Sequence, residues 1–357
     1  MSASEQTAVE RAVQVLLGEH FRVRPGEVAV LTADDGSDQA LLQALTTRLA
    51  ALGARPCVVA FPRLALQGAL ADPYIPAPVA AAVLDCDIWF DLSFPYLAGS
   101  GPFERAMQRK RARYLLLGDL NAAGFARLYG TADFHALFDL QACADELLAR
   151  AQGEECRITT PAGTDLRFRM GRPATTKHRH ATQPGAQTVP GSAIFYPEPE
   201  SVQGSIVLQA AFHEYYGPLQ APLTLTVDGT IREVAGGAHR MPLERALRRA
   251  GSGQYGHVIH LTIGLNPAAR STGRSFIEDI RVVGRNAIGL GLPWWLPGGG
   301  ENHPDGVIND QSLWLGGEQV LDGGLPVPSH PLARLLEAAA ASMPGNAAAA
   351  NEHGGHQ

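Results

Sequence analysis

No apolar run in this 357-residue sequence approaches the roughly 18 residues that a membrane-crossing helix needs, so no transmembrane span is expected. Cysteine is scarce: Cys57, Cys86, Cys143 and Cys156 stand far apart and form no C-x-x-C. Such usage fits a reducing cytoplasm, and Cys57 in "PCVVAF" and Cys86 in "LDCDIWF" are expected to be buried small hydrophobes. There is no G-x-G-x-x-G and no Walker sequence, the loops whose backbone cradles nucleotide phosphates. A broad basic face is missing too. The net charge is −6, and the one basic run, "QRKRAR" at 108–113, belongs beside a helix end, since nucleic acid needs a wider cationic footprint with stacking aromatics. Neither a nucleic-acid nor a membrane partner is expected. The opening "MSASEQTAVERAVQVLLGEHF" spreads charge along an amphipathic helix and does not have the basic and apolar regions of a signal peptide.

With 45% apolar and 18% charged residues the chain is globular, and its length allows two or three domains. The first half alternates strand and helix. An apolar run at 27–34 is followed by helical spacing that ends at Gly53, then by the strands "RPCVVAF", "DIWFDLSF" and "RARYLLLGD". That alternation implies right-handed crossovers and a mainly parallel sheet over residues 1–154. After about residue 155 the texture changes. "CRITTPAGTDLRFRMG", "GSIVLQAAF", "APLTLTVDGTIREVAGG" and "HVIHLTIGLN" alternate apolar and polar residues between turn signals such as Asp228-Gly229. Residues 155–334 are therefore read as an antiparallel-rich α+β domain, interrupted by one helix in "HRMPLERALRRAGSG". Residues 335–357 read as a terminal helix and an Ala-rich, disordered tail.

Candidate metal ligands lie in the second half. In "GGGENHPDGVIND" (298–310), His303 and Asp305 are two apart, so an extended backbone sends both side chains to one side. His260 lies in the strand-like "GHVIHLTIGLNP", where His257 is three residues away and faces the other side. His260, His303 and Asp305 make two imidazoles and one carboxylate. That set leaves coordination positions open, as in non-haem Fe(II) oxygenases, whereas a structural zinc site is closed by four ligands. The glycines at 298–300 either admit backbone close to the metal loop or form a tight turn.

The run of "VQGSIVLQAAF", "APLTLTVDGTIREVAGG", "HLTIGLNPAAR", "AIGLGLPWW" and "NHPDGVI" resembles the layout of the aminopeptidase T metallopeptidases and the related 2,5-dihydroxypyridine 5,6-dioxygenases. The likeness covers roughly residues 155–330 in motif detail and the first half in α/β texture. Against the peptidase pattern three ligand positions differ. Ser192 in "VPGSAIF" and His260 in "HLTIGLN" stand where the peptidases have Glu, and Ala287 in "RNAIGLG" stands where they have His. A dinuclear site loses too many ligands. What remains, His260, His303 and Asp305, matches the mononuclear iron arrangement of the dioxygenases. The resemblance thus implies a cytoplasmic Fe(II) dioxygenase that opens a dihydroxypyridine-like ring with O2 in aromatic catabolism, such as nicotinate degradation.

Other positions are candidates for a substrate pocket. His178 and His180 in "KHRHATQ" fall on one face if extended and suit hydrogen bonding or proton transfer. Ser192 occupies a position that faces the metal in the related peptidases. Trp294-Trp295 is read mainly as a packing plug, and His213 and Glu214 are given no role. A small aromatic substrate, O2 and a homo-oligomeric state are expected. The alternatives are an aminopeptidase T-like hydrolase and a non-catalytic small-molecule binder that keeps the fold.

Overall fold

The computed structural model describes residues 2–172, 180–300 and 302–343; His178 and the tail from 344 lie outside the described residues. In chain order the strands are β1 (Val28–Ala33), β2 (Arg55–Ala60), β3 (Ile88–Asp91), β4 (Arg113–Leu116), β5 (Glu155–Thr159), β6 (Asp165–Arg169), β7 (Gly185–Gln187), β8 (Ser192–Phe195), β9 (Gln203–Phe212), β10 (Tyr216–Asp228), β11 (Thr230–Gly236), β12 (His257–Gly264), β13 (Asn286–Gly291), β14 (Asp305–Ile308), β15 (Ser312–Leu315), β16 (Glu318–Asp322) and β17 (Leu325–Pro326). The α-helices are α1 (Ala3–Gln14), α2 (Gln39–Ala51), α3 (Ala77–Leu84), α4 (Gly101–Gln108), α5 (Ala122–Gly130), α6 (Phe134–Arg150), α7 (Arg240–Ala250), α8 (Phe276–Asp279) and α9 (Pro331–Ala341). Among the described residues no helix is long and apolar enough to cross a membrane.

The chain forms two compact units, Met1–Phe134 with Lys177–Pro190, and His135–Thr176 with Gly191–Gln357. A single cut at 154 differs from this division in two ways. Nearly all of α6 belongs to the second unit, and 177–190 returns to the first. The first unit holds an all-parallel sheet in the order β2-β1-β3-β4-β7. Helix α2 shows how the sequence starts and stops an element. The Asp38 side chain accepts the Leu41 N–H at 3.0 Å, Leu41, Leu42, Leu45 and Leu49 form the buried stripe, and Gly53 at φ +77° ends the run. "QRKRAR" follows α4, as its charge pattern implies. Cys57 corrects the sequence reading. β2 is the sheet edge and most of its side chains are exposed, so Cys57 is exposed while Cys86 is buried.

In the second unit the pairing is antiparallel, in the order β17-β16-β15-β5-β6-β9-β14-β13-β12-β8, with β10 pairing both β9 and β11. Alternating burial along β6, β9 and β10 matches the alternation in sequence. The β10–β11 hairpin turns at Asp228-Gly229, with Gly229 at φ +68°. Strands β13 and β14 are buried throughout, which places any polar group on them in a dry environment.

Candidate metal centre

Strand register assembles the cluster. Tyr216 of β10 pairs with Phe212 of β9, Phe212 with Asp305 of β14, Asp305 with Gly289 of β13, and Gly289 with His260 of β12. Residues paired across a sheet project from the same face, so this rung carries two aromatic rings, a carboxylate, a gap and an imidazole in line. The gap is Gly289. His260 reaches over it and sets Nε2 3.1 Å from Asp305 Oδ1. A register shift between Val258 and His260 sends His257 elsewhere, where its Nδ1 lies 2.8 Å from the Gly229 carbonyl.

His303 reaches the same carboxylate from the segment leading into β14. Its Nε2 is 3.7 Å from Asp305 Oδ2, so each carboxylate oxygen faces one imidazole. The two rings meet edge to face, 5.1 Å apart at 88°. The Nδ1 of His303 donates to the Gly300 carbonyl at 2.8 Å. In neutral His303 that bond leaves Nε2 as a lone pair aimed toward a carboxylate oxygen. Two acceptors facing each other at that separation fit a cation between them. The ligand atoms of the three residues all lie within 4.8 Å of one another, His303 and Asp305 are buried, and His260 is partly buried. Two imidazole nitrogens and a carboxylate oxygen are a donor set for a divalent first-row metal with open positions.

Aromatic packing backs the carboxylate. Phe276 of α8 lies 5.2 Å from Phe212 and 5.4 Å from Tyr216, and the Tyr216 hydroxyl donates to Asp279 at 2.8 Å. Asp279 also accepts from the N–H and hydroxyl of Thr272 and the N–H of Gly273, so it is fully engaged and works as an anchor. Past Phe212 the chain turns through His213, which sequence reasoning left without a role. The Glu214 N–H donates to His213 Nδ1 at 2.8 Å, and His213 Nε2 lies 3.4 Å from His239 Nδ1. Burial, with His239 beside it, pushes the His213 ring down to about 4. Glu214 is held below the ordinary carboxylate range by a two-pronged bond from Arg245 and a further one from Arg249.

The sequence matches the NicX family, 2,5-dihydroxypyridine 5,6-dioxygenase, over residues 13–288. The chain belongs to the NicX family. The matched stretch contains His260 and Gly289's neighbour strand but stops short of His303 and Asp305, which the fold brings to His260. Among solved structures, the chain resembles the 2,5-dihydroxypyridine dioxygenase of Pseudomonas putida KT2440 with a TM-score of 0.70 and 19% identity, over 93% of this chain and 100% of that one. It also resembles wild-type AmpT of Thermus thermophilus, with a TM-score of 0.63 and 13% identity over 90% and 99% of the two chains. At these identities the likeness is one of fold. No curated protein matches the sequence.

For a NicX-family chain the other expected site residues fall outside the cluster. Ser192 pairs with Gly264, four residues along β12 from His260, which at the rise of a strand is about 13 Å away. Its carbonyl accepts from Gln141 at 2.8 Å. His180 belongs to the first unit, where Nδ1 lies 3.2 Å from the Glu19 carbonyl and the ring meets Phe134 edge to face. Trp294 and Trp295 correct the sequence reading. They are more than half exposed and touch each other edge to face, so they do not plug a core. Nothing in the residues at 293–297 supplies the alternation or helical spacing that would have tucked them inward.

Proposed function

We propose that this chain is a mononuclear non-haem Fe(II) dioxygenase that opens the ring of 2,5-dihydroxypyridine, or a close hydroxylated N-heteroaromatic, in catabolism of the nicotinate type. The carrying observation is the convergence of His260, His303 and Asp305 on one point. Membership of the NicX family supports the ring-cleaving reaction. When bound, Fe(II) supplies the electronic path between the electron-rich ring and O2, leaving open positions for both.

The chain's own residues set the conditions. Two neutral imidazoles and one carboxylate would leave a divalent centre with one net positive charge, which favours an ionised ring hydroxyl over a neutral one. The Gly300 carbonyl fixes the tautomer and orientation of His303, and Phe212 and the buried β13 and β14 keep water from the protein side of the carboxylate. Ser192 takes no step in this reading. His180, whose ring is held by the Glu19 carbonyl and Phe134 within the first unit, is likewise given no step.

The fold likeness to AmpT keeps a hydrolase as the competing reading. Ser192 and Ala287 carry no metal-binding group and Ala287 is buried against Val307 of β14, so a second metal lacks ligands there. Metal analysis of protein purified without oxygen separates the two. One iron per chain, with one O2 consumed per ring opened, is the expected result. Two zinc or cobalt ions per chain with peptide hydrolysis would replace it with the hydrolase.

A further inference from the structure

We propose that Gly289 is a positioning residue for the metal: the side chain missing from β13 is what lets the His260 ring lie across that strand and bring Nε2 to Asp305. The proposal deepens the metal-centre reading above and rests on it. An ideal Cβ on Gly289 would stand 2.5 Å from His260 Nε2, 2.6 Å from Cδ2 and 2.7 Å from Cε1. These are its three nearest atoms, and all belong to one ring. Other glycines nearby serve the backbone. A Cβ on Gly264 would meet the Val282 carbonyl oxygen at 2.0 Å, and Gly291 has φ +158°. Gly289 has no positive φ, so its backbone would accept any residue except proline. What the position excludes is a second occupant of the space that the imidazole fills.

The register explains why this matters for a metal. His260 and Asp305 sit on strands that flank β13, each paired with Gly289 itself. Side chains two strands apart meet only if the strand between them presents nothing on that face. Non-bonded carbon atoms settle at roughly 3.5–4.0 Å, so even one methyl group would move the ring by about 1 Å. Metal–ligand distances tolerate only about 0.2 Å. A ring displaced by that amount takes Nε2 out of the ligand set while His303 and Asp305 stay in place.

Four proteins test this: wild type, G289A, H260A and the double variant, each with divalent metal binding measured by Co(II) titration and with thermal unfolding of the metal-free form in chelator. G289A is expected to keep its far-UV circular dichroism, to bind Co(II) about 10–100-fold more weakly, and to melt below wild type. In the H260A background the same glycine replacement should leave the melting temperature unchanged or slightly raised, because the ring it strikes is gone and alanine suits a strand better than glycine. Folding of the double variant where G289A alone fails to fold carries the same meaning. Unchanged Co(II) affinity in G289A, an equal loss of melting temperature in both backgrounds, or failure of both glycine variants to fold would overturn the proposal. Failure of the metal-centre reading looks different: wild type would bind Co(II) no better than H303A, while the melting-temperature cycle would still report on Gly289 and His260.

Discussion

Asp305 offers one carboxylate oxygen to each of two imidazoles, and His303 has its far nitrogen fixed on a backbone carbonyl. Each member of the cluster is therefore oriented by something other than the metal. The site is not a staple for folding of the kind that a four-ligand structural zinc provides, so ligand replacement should spare the fold. H303A and D305A are each expected to lower Fe(II) affinity by more than about 100-fold and to abolish O2 consumption, with far-UV circular dichroism unchanged. Full O2 consumption by either variant would remove that residue from the centre. H260E is the subtler change. It keeps a ligand but makes the set one imidazole and two carboxylates, lowering the charge that attracts an ionised ring oxygen. Ring cleavage should collapse with no peptide hydrolysis gained, since Ser192 and Ala287 still offer no ligand; wild-type turnover in H260E would contradict this.

At the scale of elements, the turn 213–215 between β9 and β10 ties the aromatic wall to α7 through the His213–His239 contact and the Glu214–Arg245 pair. His213 is folded in its neutral form, with its ring pushed down to about 4, while the unfolded chain takes up the proton near the ordinary 6.5. The unfolded state thus binds more protons between those values. Stability that is fully present above 6.5 is lost as pH falls toward 4, up to on the order of 2–3 kcal/mol from this group. H213Q should flatten that acid limb, checked by denaturant unfolding of the metal-free protein at pH 7.5 and 4.5; an unchanged limb would mean another group carries it. Much of the frame was legible from pattern. The parallel first sheet, the Asp228-Gly229 hairpin and the H-x-D pair at the entry to β14 all follow from local chemistry. Less local features were not. β7 is three residues long and joins the first sheet from a segment surrounded by antiparallel sequence, and the exposure of Cys57 depends on β2 being an edge. The special place of Gly289 needs the register of three strands, which no local pattern encodes.

For the whole molecule, the second unit holds all three proposed ligands, His260 on β12, Asp305 on β14 and His303 in the segment just before β14, with 45 residues of sequence between His260 and Asp305. The NicX-family match narrows the reaction class, and the proposed 2-His-1-carboxylate set bears on which metal chemistry performs it. An electron-rich dihydroxylated ring can itself supply every electron that O2 requires for cleavage, so no nicotinamide or ketoacid should be consumed. Turnover of 2,5-dihydroxypyridine under 18O2, with mass spectrometry of the product and exchange with water controlled, tests this most directly. Two labelled oxygen atoms in the ring-opened product, both from one O2, are the expected result. One labelled atom would mean a monooxygenase that needs an outside reductant, and no label from O2 with oxygen arriving from water would contradict the dioxygenase and leave the hydrolase.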